Sequence, residues 1–113
     1  MDKAAIFDEG VRRFNDGRYW DAHESWEELW LEAPASDREF FRGLIQIAAA
    51  YYHLGRANER GAHRLFAAGL RLLTPYPQQY LGADISDLLS RASQHQASNG
   101  PSSPGERPMI RLL

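Results

Sequence analysis

Apolar side chains recur along this chain at intervals of three and four, the spacing that gathers them on one face of a helix. Ala4, Phe7, Val11 and Phe14 mark a first helix over residues 3–15, with Asp2 as its N-cap and Asn15-Asp16-Gly17 as the turn that ends it. A second follows over 19–32, where Tyr19, Ala22, Trp26, Leu29, Trp30 and Ala33 share one face. After the loop Ala33-Pro34-Ala35-Ser36, either Ser36 or Asp37 is expected to cap a third helix over 37–54. Phe40, Phe41, Leu44, Ile45, Ile47, Ala48, Tyr51, Tyr52 and Leu54 cover most of its circumference, which predicts a buried central helix.

Gly55 closes the third helix, and Asn58 caps a fourth over 59–73 with Ala62, Leu65, Phe66, Gly69, Leu70 and Leu73 on its inner face. Small residues at 61, 62 and 69 allow a close helix–helix approach. Pro75 and Pro77 stop this helix, and after the irregular TPYPQQYLGAD a last one is predicted over 85–96, capped by Asp84 or Ser86. The pattern therefore gives an all-α five-helix bundle of antiparallel helical hairpins over residues 1–96, the first hairpin tetratricopeptide-like, with no strand. From Ala97 the run SNGPSSPGERP has nothing to bury, so 97–113 is expected to be a disordered Ser/Pro/Gly-rich tail, although its final MIRLL is apolar again.

Composition narrows this picture mainly by exclusion. At 113 residues the chain is long enough for one core and too short for two. Thirteen basic against fifteen acidic residues leave no electrostatic footprint for nucleic acid or an anionic membrane. The absence of cysteine removes disulfides, thiolate zinc sites and thiol nucleophiles, and accords with a reducing compartment. With no signal-like start and no stretch of 18 apolar residues, a cytoplasmic location is expected. The apolar excess of residues 40–54 suggests a homo-oligomer.

Candidate chemistry centres on residues 19–33, YWDAHESWEELWLEA, which hold all three tryptophans. His23 and Glu27, one helical turn apart, fall inside the apolar arc, and burying either without a partner is costly. Arg42, Gln46 and His53 form the one polar stripe of the third helix and are positioned to answer them. One reading is a polar pocket of His23, Glu24, Glu27, Gln46 and His53 that fixes helix register or binds a protein or small-molecule ligand, making the domain a binding or interaction module with no cofactor. The alternative is a metal-dependent, hydrolase-like site of His23, Glu27 and His53 around a divalent ion such as zinc or manganese. HESWE is neither the HExxH of zinc proteases nor the ExxH of di-iron bundles. Glu24 is also placed to cap the Asn15–Gly17 turn. The tryptophans read as core, and His63 and His95 as surface residues. No serine sits where a scaffold could activate it as a nucleophile, and whether the chain is an enzyme is left undecided.

Taken together, FNDGRYWDAHESWEELW, FFRGLIQIAAAYYHL, GAHRLFAAGLRLL and YLGAD resemble the domain of unknown function 309 family over roughly residues 7–89. The resemblance rests on the ordered set of an Asn-x-Gly turn, Ala-His-Glu followed by Trp26 and Trp30, and the Gly43-Leu44-Ile45-Gln46 run leading to His53. It implies a small all-helical bacterial or archaeal protein and supplies no activity.

Overall fold

The computed structural model describes residues 2–113. Five helices carry the architecture: α1 (Lys3–Asn15), α2 (Tyr19–Leu31), α3 (Ala35–Gly55), α4 (Glu59–Leu73) and α5 (Ser86–Ser98). The helical periodicity thus located each of them to within a few residues. Asp2 caps α1 through the Ala4 amide at 3.2 Å, and Asn58 caps α4 through the Gly61 amide at 3.1 Å. Gly17, at φ 81°, supplies the left-handed turn between α1 and α2. The third helix starts two residues earlier than expected, directly after Pro34, so neither Ser36 nor Asp37 caps it. Pro34 already holds its φ at −63°, ready for a helix entry.

Packing explains the order of the elements. The central helix α3 lies against both α2 and α4, and Phe40, Leu44, Ile47, Ala48 and Ala50 are fully enclosed. Most of its apolar excess is absorbed within the single chain, with Ile45, Tyr52 and Leu54 left partly exposed. Two close approaches depend on missing side chains. Trp26 of α2 lies where a Cβ on Gly10 would be, and its indole N–H donates to the Phe7 carbonyl at 3.4 Å. Likewise Gly43 of α3 makes room for Leu73, and Gly69 of α4 for Ile47, bringing α3 and α4 together.

The expectation of no strand does not hold. Three two-residue strands, β1 (Gln79–Tyr80), β2 (Ala83–Asp84) and β3 (Arg111–Leu112), form an antiparallel sheet in the order β1-β2-β3. The fold remains all-α in class, since the strands are short and the helices hold the core. Nor does the structure keep the tail disordered. Ile110 is buried, its amide donates to Asn15 Oδ1 and its carbonyl accepts from Asn15 Nδ2, both at 2.9 Å. The Met109 amide donates to Asp87 at 2.9 Å, and Arg111 pairs with Asp84 at 3.0 Å. Composition misled here because only the linker is poor in apolar groups, whereas MIRLL brings a buried isoleucine and a strand. The end of the tail docks on its own chain.

A second correction concerns His95, expected at the surface. Leu88, Ala92 and His95 share the inner stripe of α5, and the imidazole Nδ1 lies 2.6 Å from the Tyr51 hydroxyl of α3. Burial holds its pKa below 6.5, with Arg91 acting in the same direction, while burial pushes the Tyr51 phenol up. His63, by contrast, is exposed as expected.

Two outcomes follow from these contacts. Asn15→Ala should lose both bonds to Ile110 and cost on the order of 1–3 kcal/mol in urea unfolding, with faster proteolysis in 99–106 as the local readout. Because the folded pKa of His95 is depressed, its contribution is complete above pH 6.5 and is lost as pH falls through the folded value. Thermal stability should therefore decline on acidification in that window, and His95→Gln should flatten this part of the profile.

Candidate functional site

His23, Glu27 and Trp30 follow one another at helical spacing along α2 and face Arg42, Ile45, Gln46 and Ala49 of α3, with Leu65 of α4 closing one side. These eight residues line a cavity of about 290 Å³. It exists because the facing α3 position is the small Ala49, so the two helices leave a gap where a larger side chain would have filled it. Four of the five residues proposed for this chemistry are thus sorted: His23, Glu27 and Gln46 are brought together, and Glu24 is not, being exposed on the far side of α2.

His53 is not brought there. It is half-buried, one turn beyond the cavity, and its Nδ1 lies 3.3 Å from the Asn58 side-chain amide. The three-ligand set of His23, Glu27 and His53 is therefore not assembled, and among the described residues no group of three His, Asp or Glu side chains gathers as a metal site would require. The reason is register. Residues 46 and 53 are seven apart, two full turns, so they share a face of α3 but lie about 10 Å apart along its axis.

Within the cavity the hydrogen bonding is incomplete. His23 is 14% exposed, Glu27 is 52% exposed at the mouth, and His23 Nδ1 lies 3.7 Å from Glu27 Oε2, too long for a hydrogen bond. His23 Nδ1 and Trp30 Nε1 are both buried and make no hydrogen bond to another protein group. Most buried polar groups in folded proteins are paired, and an unpaired one costs about 1–3 kcal/mol. Two such nitrogens, two turns apart on one helix, belong to residues that line the same cavity, though neither atom itself is open to it. Gln46 adds an amide, and the half-exposed Arg42, bound to Glu39 at 3.5 Å, adds a guanidinium at the rim.

Outside the cavity, Trp20 lies flat on the back of this arrangement. Its ring stacks on His23 at 4.5 Å between centroids with a 13° interplanar angle, and touches Tyr52 at 4.8 Å. The imidazole is thereby held in one plane. The sequence pattern treated all three tryptophans as core, but only Trp26 is fully enclosed: Trp30 is half-buried, and Trp20 is 43% exposed. Trp20 departs because it flanks the apolar arc rather than lying within it.

The family model described as "Domain of unknown function (DUF309)" matches residues 7–65. Every residue lining the cavity falls within that span. Over 74 residues, 63% of its length, the chain is 45% identical to uncharacterized protein YpuF of Bacillus subtilis (strain 168). The match spans 42% of that longer relative.

The unmet indole N–H gives a direct check. Trp30→Phe keeps an aromatic ring in the wall and deletes the unpaired donor, so it should leave stability unchanged or raise it, by at most about 1–3 kcal/mol in chemical denaturation. Trp26→Ala, which empties the space over Gly10, should instead cost about 3–5 kcal/mol.

Proposed function

This chain belongs to the DUF309 family of domains of unknown function, and we propose that it is a binding module whose α2–α3 cavity takes a small molecule bearing hydrogen-bond acceptors. The observation that carries this reading is the cavity itself, whose lining brings His23, Gln46 and Arg42 together beside two buried nitrogens without a protein partner, His23 Nδ1 and Trp30 Nε1. A carboxylate, amide or carbonyl group entering between α2 and α3 accepts from Gln46 or Arg42 and, with a small turn of the side chain, from Trp30 or the Nδ1–H tautomer of His23. The two nitrogens serve separate groups of the ligand because they stand two helical turns apart. Gln46 supplies a further donor and acceptor, and Arg42 favours an anionic group at the rim. Binding then recovers the cost that the free fold bears for leaving these groups unpaired.

Volume restricts the ligand's size. Cavities that hold drug-sized molecules run from about 300 to 1,000 Å³, so 290 Å³ suits a metabolite-sized molecule with one or two polar groups. Glu27 at the mouth restricts charge, because its carboxylate repels a second anionic group on the same ligand. The fold offers no nucleophile with a base and an orienting group around this cavity, so recognition is the chemistry its geometry supports.

The expected result is that glutarate or a similar short carboxylic acid, screened by nuclear magnetic resonance, shifts the Trp30 indole N–H resonance in a saturable way, and that Gln46→Ala and His23→Ala weaken this by about tenfold each. A screen in which no acceptor-bearing small molecule moves that resonance rejects the reading. Zinc or manganese titration belongs in the same experiment, since His23 and Glu27 offer two ligands where a catalytic ion takes about three from the protein. Stoichiometric uptake abolished by His23→Ala would replace the organic ligand with an ion.

A further inference from the structure

A second cavity, of about 250 Å³, lies where the N-terminal turns of α1 and α3 meet the C-terminal turn of α2. It shares no residue with the first. Ala4, Phe7, Leu29, Ala33, Phe41 and Leu81 give it an apolar wall, and Lys3, Asp8, Glu32 and Asp37 stand around that wall.

Leu81 is the unusual member. Leu81 and Gly82 join β1 to β2 with φ values of 51° and 78°, the two positive angles of the tight hairpin turn that asparagine followed by glycine adopts most readily. A leucine in that left-handed conformation brings its Cβ against the following carbonyl. Core packing does not repay the strain, because Leu81 remains 44% exposed. What the side chain does gain is a place on the cavity rim.

The charge of the rim decides what kind of molecule fits. Three carboxylates face one ammonium, Lys3. Glu32 stands at the C-terminal end of α2, where the helix carbonyls already concentrate negative charge, and the last turn of α2 contains no basic residue. The N-termini of α1 and α3 each bring about half a positive charge, that of α1 offset by its Asp2 cap, and Arg38, which donates to the Ala33 carbonyl at 3.4 Å, offsets the carbonyls of α2, so the balance stays negative. Asp37 is occupied by the Tyr80 hydroxyl at 2.6 Å, whereas among the described residues Asp8 and Glu32 form no ion pair or side-chain hydrogen bond.

We propose that this cavity binds a small primary amine with an apolar body: one ring or a short alkyl chain seated on Phe7 and Phe41 beneath Leu81, with the ammonium group against Asp8 and Glu32. At 250 Å³ the space accommodates a single ring with a short arm and nothing larger. Leu81 serves as the rim that covers the apolar body, which accounts for a residue that the turn itself disfavours.

The test uses the full chain with isotope-labelled methyl groups, titrated separately with phenethylamine and with phenylacetate, which carry the same ring and opposite charges. Phenethylamine should shift the methyl resonances of Ala4, Leu29, Ala33 and Leu81 in a saturable way, and phenylacetate should bind there at least about tenfold more weakly. The Asp8→Asn/Glu32→Gln variant, altered only at rim carboxylates, should erase this preference. Leu81→Asn should raise the melting temperature by relaxing the turn while weakening the amine about fivefold or more, two opposite effects that a purely structural leucine would not produce. Equal binding of the two ligands, a preference that survives Asp8→Asn/Glu32→Gln, or a Leu81→Asn variant that binds the amine as tightly as the parent overturns the proposal.

Discussion

The arrangement of the whole molecule depends on one close contact, the indole of Trp26 lying directly on the α1 backbone at Gly10. Its N–H reaches the Phe7 carbonyl, and its rings meet Phe7 and Phe14 at centroid distances of 6.5 and 5.8 Å. This contact fixes how α1 and α2 cross, and with it the rotation of α2 about its own axis. Rotation is what matters for the site. With Trp26 facing α1, His23 and Trp30 on the same helix are turned toward α3, and Glu27 is left at the edge. A side chain larger than hydrogen at position 10 would push the two helices apart and move each of these groups.

What could be read from sequence follows from this geometry. Helical periodicity found α1 to α5 because each buries a continuous face, and burial dominates helix formation in proteins. The same angular argument placed His23, Glu27 and Gln46 around one space, since azimuth on a helix is a local property. It could not place His53, because axial distance along α3 relative to α2 depends on where the helices cross. His95 and Ile110 were missed for a related reason. Each is buried by a partner remote in sequence, Tyr51 at 44 positions and Asn15 at 95, and nothing in the residues around them announces that partner. Asn15 carried a partial signal: it was read as a turn former, and its amide does sit in the turn while serving as a backbone-like partner for Ile110. Strands of two residues are too short for any alternation to appear.

The two cavities differ in what they leave unsatisfied. Between α2 and α3 the deficit is in hydrogen bonding, at buried nitrogens with no partner. At the meeting of α1, α2 and α3 it is in charge, at carboxylates gathered around an apolar wall. Neither deficit is required by the core, which is closed by Trp26, Phe14, Phe40, Phe66 and the aliphatic side chains around them. A domain of this size has little stability to spare. Groups that reduce it without serving the core are therefore the places where a ligand has the most to contribute.

The pairing of Asn15 with Ile110 also bears on the sequence of events in folding. Most helical contacts join elements adjacent along the chain, while this one closes a loop of 95 residues. Closure of a long loop is delayed by entropy until the ends have been brought near each other by other contacts. Loop-closure entropy alone thus favours an order in which the helices assemble first and β3 joins the sheet last. The same topology makes β3 and the residues before it the segment whose local opening would break the fewest helix–helix contacts, with the bonds of Ile110 to Asn15, Met109 to Asp87 and Arg111 to Asp84 as the ones that resist it.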